Sequence, residues 1–139
     1  MNLPRLLARG LPTLLLGGAI WVLSSQSTLP HPKGILGFDK VQHCAAYMAL
    51  SVALGFWFFP ERWRRYPLRT LFAVILIASI YGILDEIHQY FVPYRDCNVW
   101  DWLADTLGAI VGALAVLGWH RFHRRAEGPA DGDSAGKAL

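Results

Sequence analysis

Asp85, Glu86, His88 and Gln89 fall within five consecutive positions, and Arg95 follows shortly after them. Carboxylates and an imidazole together can take a cation or move a proton, and an arginine fork can grip a phosphate or carboxylate in two-point fashion. The setting gives this cluster its interest, because it closes a long apolar stretch. Charged side chains in a bilayer cost roughly 2.5–3.5 kcal/mol each on insertion scales, so a span that carries several has a use for them. Two further stretches hold similar groups: Asp39-Lys40-Val41-Gln42-His43 ahead of one apolar run, and Asp101 with Asp105 inside another.

Helical spacing organises these residues. Asp39, His43 and Tyr47 recur every four positions and form one stripe, about 12 Å long at 1.5 Å per residue. Tyr81, Asp85, His88 and Gln89 share a second stripe with Glu86 on its flank, and Asp101, Asp105, Gly108 and Gly112 form a third. The two glycines make a small-xxx-small surface on which another helix can rest closely. The aspartates share that face, so the reading turns them into the bundle and away from lipid.

Structural explanations compete with a site. Asp39 and Asp101 suit helix N-termini, where the macrodipole favours an acid. His43 and Tyr47 suit an interhelical hydrogen bond, and Arg95 suits an ion pair with Glu86 or Asp101. The acids outnumber Lys40, Arg95 and the two histidines near them, an excess that pairing alone does not need. That excess favours a functional site made of Asp39, His43, Tyr47, Asp85, Glu86, His88, Gln89, Arg95, Asp101 and Asp105.

The elements that must hold these residues are helices in a membrane. The chain is long enough for one domain, and 54% of its residues are apolar. Those residues lie in four blocks, at about 6–23, 41–59, 68–91 and 99–119, each near the roughly 20 residues that cross a bilayer as a helix. The reading is an all-α polytopic membrane protein, a bundle of four transmembrane helices spanning residues 1–125, with a disordered cytoplasmic tail over 126–139. Arg5 and Arg9, followed by Leu11 to Leu23, resemble a signal peptide's start. The cleavage region offers only Ser25 and Ser27 as a small-x-small pair, so a retained anchor is expected. Arginines sit before the first block, in the second link (Arg62, Arg64, Arg65, Arg69) and after the fourth block (Arg121, Arg124, Arg125), which places both termini inside. The net charge of +3 follows from that topology and gives no reason to invoke nucleic acid. Trp21, Trp57, Trp63, Trp100, Trp102 and Trp119 mostly fall near block ends, as an interfacial belt requires.

Neither a glycine-rich phosphate loop nor zinc-finger spacing is present, and the reading assigns no cofactor and no resident metal. Cys44 and Cys97 lie on the outer side in this topology. Free thiols are favoured there over a disulfide, and a disulfide over metal ligation with His43 and His88.

Asp39-Lys40-Val41-Gln42-His43 with Tyr47 is similar to the aspartate-lysine-x-x-histidine signature of VanZ-like membrane proteins. Asp85-Glu86-Ile87-His88-Gln89, then Phe91-Val92-Pro93 and Arg95, resembles that family's third-helix motif. Asp101, Asp105 and Gly108 match its last segment, and Ser24-Ser25-Gln26 resembles the polar end of its first helix. One departure is Tyr94, where glycine commonly precedes the arginine. The resemblance implies a multi-pass protein of the bacterial cytoplasmic membrane, and its name-giving member is associated with low-level resistance to the glycopeptide teicoplanin.

The expected function is an outward-facing polar pocket, in a protein surrounded by the lipid bilayer, for a cell-envelope ligand: a lipid-linked precursor or a glycopeptide. Arg95 would contact phosphate or carboxylate, and the acids an ammonium group. Two alternatives stand beside it. One is a membrane-embedded enzyme using the same residues with a divalent metal or as general acid and base. The other is a structural partner in an envelope complex.

Overall fold

A computed structural model describes residues 3–27 and 37–126. Every regular element among the described residues is helical: α1 (Leu3–Ser24), α2 (Phe38–Trp57), α3 (Pro60–Arg65), α4 (Pro67–Tyr90) and α5 (Val99–Ala126). The expected tail beyond α5 and residues 28–36 lie outside the described residues.

Prolines mark the turns between helices. Phe58 and Phe59 adopt extended backbone, and Pro60 then opens α3 at a position where its missing N–H costs nothing. Tyr66 breaks the chain again, and Pro67 opens α4 in the same way. The short helix α3 was not anticipated, since its arginine-rich sequence reads as a link. It forms because Trp63 anchors it: the indole is buried and donates to the Gly55 carbonyl at 2.9 Å. α5 runs seven residues beyond the expected end at Trp119.

Among the described residues three helices are long and apolar enough to cross a membrane: Leu6–Ser24, Pro67–Tyr90 and Val99–Arg124. α2 is not among them, because Asp39, Lys40, Gln42 and His43 fill its first two turns. It is the inner helix, packed most extensively against α5 and also against α1 and α4. Leu54, Trp63, Val74, Ala113, Val116 and Leu117 form one buried cluster, and Ile20, Tyr47 and Leu50 a second.

The surface is inverted relative to that of a water-soluble bundle. Leu14, Leu15, Phe72, Leu76 and Leu107 are all more than half exposed, whereas Asp85, Glu86, Gln89 and Asp105 are buried. Apolar outer faces on this scale need a hydrocarbon solvent. Polar contacts stitch the helices within it, as in membrane bundles generally. Ser51 donates to the Ala109 carbonyl at 2.7 Å, Tyr81 to the Gly17 carbonyl at 2.7 Å, and Ser79 meets Thr106 at 2.9 Å. Two of the tryptophans expected at the interface serve here instead: Trp63 is in the core, and the Trp102 indole donates to Ser79.

Candidate functional site

The close approach of α2 and α5 sets the site. A Cβ on Gly108 would run into the Cys44 carbonyl, and one on Gly112 would meet the Met48 carbonyl, so only glycine permits this spacing. With the two backbones in contact, the polar groups one turn away meet. Nδ1 of His43 lies 2.9 Å from Oδ1 of Asp105. Nearer the helix starts, Lys40 Nζ lies 2.7 Å from both Asp39 Oδ2 and Asp101 Oδ1. Asp39 and Lys40 precede the apolar block of α2. The hydrogen bond from Lys40 holds the Asp39 carboxyl below its ordinary range, and the bonds to Asp101 and then Asp39 hold the Lys40 ammonium above its own.

α4 supplies the third wall. Ser24 at the end of α1 donates to Asp85 Oδ2 at 2.9 Å, and Gln89 Nε2 donates to the same oxygen at 3.2 Å. Glu86 turns the other way and accepts the Asn98 backbone N–H on Oε2 at 2.7 Å. Ligand atoms of His43, Glu86 and Asp105 lie within 4.8 Å of one another. Four buried oxygens in this region have no hydrogen-bond partner: Asp85 Oδ1, Glu86 Oε1, Asp105 Oδ2 and the Tyr47 hydroxyl. Buried polar atoms are nearly always satisfied, so such a concentration of exceptions is specific to this end of the bundle.

A cavity of about 170 Å³ opens between α1, α2 and α4, lined by Ser24, Asp39, His43, Tyr47, Asp85 and Arg95, with Ile20 and Leu23 as apolar walls. A larger groove of about 480 Å³ lies at the other end against Leu6, Leu54, Trp57, Phe58 and Phe59. Its walls are almost wholly apolar, and in hydrocarbon an acyl chain fills such a groove. Titratable side chains line the smaller cavity.

Most of the expected residues converge; His88 stands apart, and the two structural pairings weighed for Arg95 and His43 are made with other partners. His88 does not join the cluster: it stacks on Trp21 with ring centroids 4.0 Å apart and pairs with Ser25 Oγ at 2.9 Å. Glu86, on the flank of the Asp85–Gln89 stripe, does join the cluster, with an oxygen near His43 and Asp105. Arg95 pairs with neither Glu86 nor Asp101. Its Nε donates to the Gln26 carbonyl at 3.1 Å and its Nη2 reaches the Leu23 carbonyl at 3.5 Å, so it caps the end of α1. His43 bonds Asp105 and not Tyr47. The sequence reading left out Lys40, Ser24 and Asn98. Lys40 was legible as the one lysine between the two acids it joins, whereas the Asn98 contact uses a backbone N–H that no residue type announces.

Both cysteines are free, Cys97 exposed and Cys44 half-buried. The family described as VanZ/LLP1 matches residues 8–120. The chain belongs to this family. The VanZ/LLP1 match takes in every residue of the cluster, and with the three apolar helices it makes this a membrane protein. No curated protein and no solved structure matches the chain. The position where VanZ-like proteins commonly carry glycine has a backbone reason: Tyr94 has φ of 63°, the left-handed region that glycine enters freely.

Proposed function

We propose that this chain is a four-span bundle, one domain over residues 1–125 with both termini cytoplasmic, whose polar pocket faces the opposite side and binds the headgroup of a cell-envelope lipid or lipid-linked precursor. At 20 residues α2 is about 30 Å long, enough to span when sheltered by three apolar neighbours. The arginine-rich segments support the orientation. Arg9 donates to the Phe56 carbonyl at 3.0 Å, and Trp63 stacks on His120 with centroids 5.6 Å apart, so the arginines of α1, α3 and α5 share one end. The acids, Lys40 and Arg95 share the other.

The observation that carries the binding reading is the unpartnered Asp85 Oδ1 and Tyr47 hydroxyl beside the cavity. An ammonium or hydroxyl on a ligand would satisfy the carboxylate, and Arg95 beside it suits a phosphate. Ligand pockets usually run to about 300–1,000 Å³, so this one suits a headgroup and would admit only a protruding group of a glycopeptide. A contribution to teicoplanin resistance would then act through an envelope lipid. The enzyme reading draws on a different contact. Asp105 on His43 Nδ1 would orient the ring and leave Nε2 free to move a proton.

Native mass spectrometry of the detergent-purified protein tests the binding reading. Wild type should retain phospholipid or lipid-phosphate adducts that Asp85→Asn loses while keeping its helix content. Identical adducts on both proteins would overturn it.

A further inference from the structure

Charge balance in the buried cluster points to a cation. Asp85, Glu86 and Asp105 are each at most 3% exposed. Lys40 is held by Asp39 and Asp101, and Arg95 lies against the carbonyls of α1. That leaves the His43 imidazole, paired with Asp105, as the one basic group bonded to any of these three carboxylates among the described residues. Buried carboxylates this short of positive charge are neutralised either by protons or by a bound ion.

Geometry selects the ion and its ligands. One nitrogen of His43 and one oxygen each from Glu86 and Asp105 already lie within 4.8 Å of one another, although they come from three helices. Atoms that share one ion through bonds of about 2.0–2.2 Å stand at most about 4.4 Å apart, so a small turn of the Glu86 carboxylate closes the set. Both acids also have an oxygen to spare, since Glu86 Oε1 and Asp105 Oδ2 are buried without partners. Gly82 on α4 packs against this Asp105 oxygen, and a Cβ there would stand 3.1 Å from Asp105 Oδ2 and crowd it. Asn98 braces the second Glu86 oxygen, as an outer-shell partner does for a ligating carboxylate.

We propose that His43, Glu86 and Asp105 bind a divalent first-row transition metal ion. One imidazole with two carboxylates suits Mn²⁺, Fe²⁺ or Zn²⁺. The imidazole nitrogen disfavours Ca²⁺, a hard cation that takes oxygen ligands. The remaining coordination positions stay open, and His43 also borders the headgroup cavity, so a ligand there would lie next to the ion. The metal site does not rest on the binding reading, because it uses the Glu86 and Asp105 oxygens and not Asp85 or Arg95.

The test uses full-length protein purified without a histidine tag, incubated with Mn²⁺ or Zn²⁺ alone, desalted, and assayed for metal by mass spectrometry. Wild type should hold a single equivalent and melt at a lower temperature after chelation. Glu86→Gln and Asp105→Asn should each weaken metal affinity by about tenfold or more, while His88→Ala, at a histidine outside the cluster, keeps its metal. Wild type that retains neither ion and melts identically with and without chelator overturns the proposal, as does full metal retention in Glu86→Gln. If a ligand variant fails to fold, the wild-type metal content and melting shift decide.

Discussion

Nδ1 of His43 and Oδ1 of Asp105 stand 2.9 Å apart, joining α2 to α5 across 62 positions of sequence. The other Asp105 oxygen has no hydrogen-bond partner, so this contact is the sole bond to a side chain that is wholly buried. Removing one member of a buried pair strands the other. His43→Ala should therefore lower stability by about 3 kcal/mol. Adding Asp105→Asn should recover part of that loss, because the stranded charge is gone. Melting of the single and double variants in detergent measures the coupling, and strict additivity would mean the two residues do not support each other.

The same helix pair makes a packing prediction. A methyl at position 108 has to displace the Cys44 backbone, whereas position 118 on the same helix opens onto free space. Gly108→Ala should cost about 1–3 kcal/mol by overpacking, and Gly118→Ala should be neutral or slightly stabilising. Equal melting temperatures for the two variants would contradict the close approach of α2 and α5.

Much of this arrangement was readable from spacing alone. Apolar block length located the four long helices, and the shared face of Asp101, Asp105, Gly108 and Gly112 foretold which side of α5 meets α2. Periodicity could not assign Glu86, His88 or Arg95. Glu86 and His88 lie on opposite flanks of the Asp85–Gln89 stripe, and which flank meets α5 depends on how α4 is rotated against its neighbours. Arg95 was expected to seek a carboxylate. It found the backbone carbonyls of Leu23 and Gln26 at the end of α1, acceptors that a helix end presents whatever its sequence. α3 was missed for a related reason: a single indole reaching back to Gly55 decides it, and six residues are too few to show a period.

Tyr94 stores strain that can be released. A non-glycine residue in the left-handed region pays about 1–2 kcal/mol, and the ring recovers none of it by packing, being 93% exposed. Tyr94→Gly relieves the strain but adds freedom to the unfolded chain worth about 0.5–1 kcal/mol. The net expectation is a gain of up to about 1 kcal/mol. Tyr94→Val, which is β-branched, should move stability the other way. A melting temperature that falls in the glycine variant would count against the left-handed turn.

The Asp39–Lys40–Asp101 trio should give a pH signature. The Lys40 ammonium is held above its ordinary value of 10.5, so its contribution is complete below that value and is lost as pH rises through the higher folded value. The Asp39 carboxyl is held below its ordinary 3.8, so its contribution is complete above 3.8 and is lost as pH falls through the lower folded value. The melting difference between wild type and Lys40→Met should stay level between those limits and shrink beyond either. A difference that persists unchanged at the alkaline extreme would remove Lys40 from the account of stability.

The topology can be tested with a thiol the chain already carries. Cys97 is exposed in the loop between α4 and α5, at the end that holds the acids, and Cys44 is the only other cysteine in the sequence. In a Cys44→Ser background a membrane-impermeant maleimide should label Cys97 on intact cells or spheroplasts. Arg64, whose side chain is 55% exposed on α3, marks the opposite end. In a background of Cys44→Ser and Cys97→Ser, Arg64→Cys should stay unlabelled until the membrane is permeabilised. The reverse pattern would turn the bundle over, because the arginines would then lie outside against the positive-inside rule. It would also place Asp39, Asp85 and Asp101 at the cytoplasmic face, and an envelope headgroup presented from outside could no longer reach them.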